Sequence, residues 1–176
     1  PVPEYVSGAA FHAACINYEA GKVAEALGKF QAFAKDNAAS VLAPDAQLRI
    51  GFCLVQLKNA DEAAKALTPL TDANKFPRLA DQATFWLAKA QFATALAADP
   101  NNPADRDNKT KAALDTYRKA IERVDQLTQQ NDPDAKARRP EMRFDYADAL
   151  QLAKQFKDAV PVYEQLWNEQ AFPGRR

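Results

Sequence analysis

Residues 141–173 read EMRFDYADALQLAKQFKDAVPVYEQLWNEQAFP, two helical patterns joined by a short turn. Phe144, Ala147, Asp148 and Leu150 to Leu152 follow a helical period, with small Ala147 where a second helix can approach closely. Lys154-Gln155-Phe156 is the expected turn. Ala159, Tyr163 and Leu166 then recur at spacings of four and three, which puts them on one face of a helix that folds back on the first. Neither helix can bury its face alone.

The same arrangement recurs upstream. A first copy has Ala14, Gly21, Ala26 and Phe30. A second has Ile50-Gly51, Leu54, Ala63, Leu67 and Leu70, closed by Pro77. A third has Leu87-Ala88, then Ala113, Tyr117 and Ala120 after an insertion. Ala14, Gly51 and Ala88 lie 37 residues apart, and Ala147 a further 59. In its small residues, following Ala and aromatic, and closing Pro, this pattern resembles the tetratricopeptide repeat. The resemblance implies an all-α, tetratricopeptide-like α-solenoid of about four helix-turn-helix repeats, eight helices in one domain spanning residues 1–176. The repeats are expected at about 7–37, 44–77, 78–131 and 135–173, the third an extended hairpin.

Composition agrees. Ala dominates, Gly numbers only 5, and no stretch shows the alternation of a half-buried strand. The 23 basic and 23 acidic residues are interspersed, so the basic footprint of a nucleic-acid partner is missing. No apolar run approaches the roughly 20 residues of a membrane span. Pro1-Val2-Pro3-Glu4 lacks an initiator Met, as expected of a piece of a longer protein.

Along the chain, Pro1 to Ser7 reads as an extended lead-in, with Ser7 capping the first helix. Pro44-Asp45 suits a helix start, and Pro69 inside the pattern 61–72 predicts a kink or an early end. Two long helices are expected on either side of Asp99 to Pro103, and the tail Gly174-Arg175-Arg176 is expected to fray. Lys136, Arg138, Arg139 and Arg143, interleaved with Glu141 and Asp145, read as a solvated helix face.

Nothing here assembles a catalytic site, and the expectation is that the protein is not an enzyme. His12 is the single histidine, and Cys15, three residues on, is the one nucleophile it could serve. Glycines at 8, 21, 28, 51 and 174 form no phosphate cradle, so no cofactor is expected. No metal is expected either: Asp99, Asn101, Asp105 and Asp107 suggest a calcium loop, but Thr110 stands where its last carboxylate belongs. Cys15 and Cys53 read as two small buried thiols, with a disulfide between neighbouring helices as the alternative. Asp145, Asp148, Asp132 and Asp134 read as surface charges.

What remains is a surface. The resemblance implies that first helices line a concave side, where the matching residues are Phe11, Cys15 and Tyr18, then Leu48, Phe52 and Val55. Phe85, Lys89 and Phe92 continue it, and Phe144, Asp148 and Gln151 complete it. An apolar wall of this kind implies a protein or peptide partner with apolar anchors, in a non-catalytic interaction scaffold. The alternatives are self-association in a structural or oligomerisation domain, a plug formed by residues 1–6, tighter superhelical packing, or a wall that is simply core. The chaperone-binding relatives hold a carboxylate with a basic clamp on this face. At the corresponding places Phe11, Cys15, Arg49, Gln82 and Trp86, only one residue is basic, which argues against that partner. The phrase SVLAPDAQLRIGFCLVQLKNADEAAKAL, residues 40–67, is similar to bacterial cell-envelope members of the family and implies a periplasmic or envelope location.

Overall fold

The computed structural model describes residues 3–172, with side chains from residue 8 onward. Within them the chain is all helical, in four hairpins. The first pairs α1 (Pro3–Glu19) with α2 (Val23–Asp36), and the second α3 (Ala43–Gln56) with α4 (Ala60–Leu67). The third pairs α5 (Ala80–Leu96) with α6 (Pro103–Gln129), and the fourth α7 (Pro133–Leu152) with α8 (Phe156–Asn168). Each helix packs on the next in sequence, and α5 also touches α3, so the hairpins stack as a tetratricopeptide-like solenoid.

The evenly spaced small residues are the contact points. Ala14, Ala88 and Ala147 are fully buried, and a Cβ on Gly51 would lie 2.3 Å from Cδ2 of Leu67. Seven residues after each of Ala14, Gly51 and Ala147, the chain turns through a left-handed residue: Gly21, Lys58 and Lys154, with φ of 75°, 62° and 61°. Such a residue ends a helix by letting amides beyond it reach back to open carbonyls, as Asn59 does to Leu54. After Ala88 this stop is missing. There α5 continues to Leu96, and α6, at 27 residues, buries nothing before Ala113.

Two boundaries follow from proline. α4 stops at Leu67, and a 3-10 turn at Thr68–Thr71 carries Pro69, which has no amide hydrogen for the helix to continue. At the N-terminus the expected extended lead-in is corrected: α1 already begins at Pro3, because proline's fixed φ fits a first helical position. The remainder of that lead-in and the tail from Pro173 onward lie outside the described residues.

Two apolar cores form. One joins α1 to α5 around Phe30, Leu67 and Cys53; the other joins α5 to α8 around Val124 and Leu150.

Candidate partner-binding face

The twelve wall positions separate into a buried group of five and a half-buried or exposed group of seven. Phe11, Leu48, Phe52, Phe85 and Phe92 are buried, and for these the expectation of an open wall is corrected. Phe11 packs edge-on against Phe30 and Phe33 of α2, at 5.6 Å from each. Phe85 and Phe92 close on Tyr117 of α6, and Phe52 lies 4.5 Å from Trp86. They are core because a first helix in a stack is enclosed on several sides at once. Cys15, Tyr18 and Val55 are half-buried against the same core. The Tyr18 hydroxyl accepts a hydrogen bond from Gln56 Nε2 at 2.5 Å, tying α1 to α3. Lys89 is half-buried and Phe144 is exposed. Asp148, with Gln151, accepts from the Tyr163 hydroxyl of α8, so it serves the last hairpin instead of an inner wall.

Lys89 and Phe144 share a cleft of about 430 Å³ between α5 and α7. Its walls include Phe85, Trp86, Met142 and Phe144. Lys89 Nζ lies 4.8 Å from the Trp86 ring centre and 2.5 Å from Asp145, bridging the two helices over an aromatic floor. Arg138 lines the opposite side, its Nε 2.6 Å from the fully buried Asp81 of α5. Phe172, at the end of the described chain, stands edge-on to Phe144 with ring centres 5.8 Å apart. The chain thus lends an aromatic side chain to its own cleft.

Spacing along the sequence does not reach Arg138, Glu141, Met142 or Phe172, because the cleft is assembled between hairpins. The available signal was the interleaved charge of residues 136–145. The expectation of a solvated basic face there is corrected: Arg139 bonds Asp125 at 2.7 Å and Glu169 at 2.5 Å, and Arg143 bonds Asp125 at 2.5 Å. Asp145, expected as a surface charge, is half-buried in its pair with Lys89.

The thiols are free. Burial pushes the Cys15 thiol up from its ordinary value and the Cys53 thiol to about 11, so neither offers a thiolate near neutral pH. Asp99 Oδ1 accepts from the Asn101 amide at 2.8 Å, a turn closed on itself. Among the described residues no cluster of three or more His, Cys, Asp or Glu could hold a metal, and no helix is long and apolar enough to cross a membrane.

A model of the tetratricopeptide repeat family matches residues 45–69, from the first turn of α3 into the turn after α4. That stretch is similar to the family, whose repeats serve protein-protein interaction scaffolds. No curated protein matches the chain.

Proposed function

We propose that this protein is a non-catalytic scaffold whose α5–α7 cleft receives an aromatic or aliphatic anchor from an extended or helical peptide of a partner protein. The observation that carries the reading is Phe172, an aromatic ring of the chain itself seated against Phe144 beside Trp86 and Lys89. A cleft that accepts a phenyl ring in cis suits one in trans, where rigid rings give contact area at low entropic cost. Arg138 and Glu141 at the rim supply both signs of charge to orient the segment flanking the anchor. Of the wall positions, the reading retains Tyr18, Lys89 and Phe144 as accessible contacts and gives Phe11, Leu48, Phe52, Phe85 and Phe92 a supporting role beneath them. The cell-envelope location belongs to the same proposal and rests on the phrase at residues 40–67; fractionation of the producing cell tests it.

The test is selection of a random-peptide display library on the immobilised protein, followed by titration of recovered peptides. The reading expects a shared aromatic anchor and at least a tenfold loss of affinity with Phe144→Asp, about 1.4 kcal/mol. Recovered peptides that bind Phe144→Asp and Lys89→Glu as well as the unaltered protein would sink it.

A further inference from the structure

Arg118, Arg138, Arg139 and Arg143 each meet a carboxylate. Arg49 on α3 does not. It is half-buried, yet among the described residues it forms no ion pair and donates no hydrogen bond. Neither Asp45, one turn earlier on α3, nor Glu19, at the end of α1, pairs with it. Its guanidinium carbon lies 5.4 Å from the centre of the buried Phe52 ring, so an aromatic face, not an acid, holds it in place. Burial pushes the Cys15 thiol and the Tyr18 hydroxyl up from their ordinary values, and the charge of Arg49 works against that at both. That charge therefore reaches α1 as well as α3.

Phe52 connects Arg49 to the cleft. Its ring centre is 4.5 Å from that of Trp86 on α5, and Lys89 Nζ lies 4.8 Å from Trp86. The result is a ridge from α3 to α5 with a cation at each end and two rings in contact between them. The ends differ, because Lys89 is neutralised by Asp145 and Arg49 is open. Along these contacts Arg49 Cζ and Lys89 Nζ are no more than about 15 Å apart, which about four extended residues cover. Gln82, one turn before Trp86, lines the cleft, and its amide has no hydrogen-bond partner among the described residues. A free amide on this route suits an extended chain, whose own N–H and C=O groups are unpaired, better than a helix, which has used them.

We infer, resting on the cleft reading of the proposed function, that the bound peptide is extended and carries an aspartate or glutamate about four residues from its anchor, paired with Arg49. Charge complementarity names that residue. A guanidinium desolvated on one side by Phe52 gains most from a carboxylate, and Arg49 is without one. One cation answers one acid, so a single acidic position is expected. Because Cys15 and Tyr18 lie within reach of the Arg49 charge, the first-helix face runs on past it to α1. The chain need not end there, and the carboxylate is that of an internal side chain.

Parallel selections of a random-peptide display library on the immobilised protein and on Arg49→Glu test this. Peptides recovered on the unaltered protein are expected to share the anchor and, about three to five positions from it, an Asp or Glu. Arg49→Glu is expected to keep the anchor and to exchange the acid for Lys or Arg. In titrations of one recovered peptide, replacing its acid by the matching amide should cost about threefold to tenfold in affinity for the unaltered protein and nothing for Arg49→Gln. Arg49→Met, which keeps an aliphatic stem over Phe52, replaces either variant if it loses its helical circular dichroism. A shared anchor with no acid at a fixed spacing, or an acid that Arg49→Glu still selects, would overturn the inference and leave the cleft reading standing. An acid found only as the peptide's free carboxyl end would overturn it too. Selections that share no anchor on either protein would sink the cleft reading and this one with it.

Discussion

The two halves of the stack are held together by different forces. From α1 to the connection before α5 the ion pairs are local, Lys22 with Glu25, Lys65 with Glu62 and Lys75 with Asp72, all exposed and three residues apart. Pairs of this kind contribute a few tenths of a kcal/mol. Cohesion there comes from apolar packing around Phe30 and Leu67. From α5 to α8 two pairs on α6, Lys109 with Asp105 and Arg118 with Asp115, are local as well, but long-range pairs are added: Lys89 with Asp145, Arg138 with Asp81, Arg139 and Arg143 with Asp125, and Arg139 with Glu169. An apolar interface tolerates sliding, whereas a buried carboxylate answered by one guanidinium fixes how two hairpins sit. The half with the open cleft is therefore the half whose geometry is set by charge.

The strongest way to break this contrast is at Asp81, which is fully buried and whose Oδ1 accepts no hydrogen bond among the described residues. Arg138→Ala strands that carboxylate and should cost about 3 kcal/mol, read as a lowered urea midpoint. The double change Asp81→Leu with Arg138→Met removes both charges and should cost far less. Equal losses in the two proteins would show that packing, not charge, joins α5 to α7.

In the other half the matching change is steric. Gly51→Ala places a Cβ 2.3 Å from Cδ2 and 2.5 Å from Cγ of Leu67, which is itself fully buried and has no room to swing. A loss of about 1–3 kcal/mol is expected from overpacking. If stability is unchanged, α3 and α4 are not in the close contact that the 37-residue spacing implies.

That spacing made the fold legible. Ala14, Gly51, Ala88 and Ala147 are all buried, Gly51 tightly against Leu67, and small residues at those points are a local, countable signal. The binding face was less so. Helical period puts Phe11, Phe52 and Phe92 on a common face, but it does not say which sectors of a first helix its neighbours cover. Asp81 and Arg138 stand 57 residues apart, and no local pattern ties a charge on one hairpin to its answer on another.

A smaller effect is common to both halves and calibrates them. Lys58 and Lys154 hold a left-handed conformation that costs a side chain about 1 kcal/mol and glycine nothing. Lys58→Gly and Lys154→Gly should each stabilise by about 0.5–1 kcal/mol, a rise in thermal midpoint of a few degrees. The greater freedom of glycine in the unfolded chain offsets part of the gain. Unequal effects would mean that one of the two lysines makes a contact beyond its turn.

The smallest expected effect is one of pH. The guanidinium of Arg139, hydrogen-bonded to Glu169, holds that carboxyl below its ordinary value. A group depressed in the folded state stabilises the fold above its unfolded value, near pH 4.3 for Glu, and loses that contribution as pH falls through the folded value. Below about pH 4 the tie between α7 and the end of α8 should therefore weaken, while α1 to α4, without such a pair, should not respond at that step. Amide hydrogen exchange along an acid titration reads the two halves separately. Loss of protection should begin in α8, and Glu169→Gln, which cannot titrate, should abolish the early step. Protection lost in all eight helices at a single pH would show that the charge pairs fix the geometry of the last two hairpins without setting a weaker link between them.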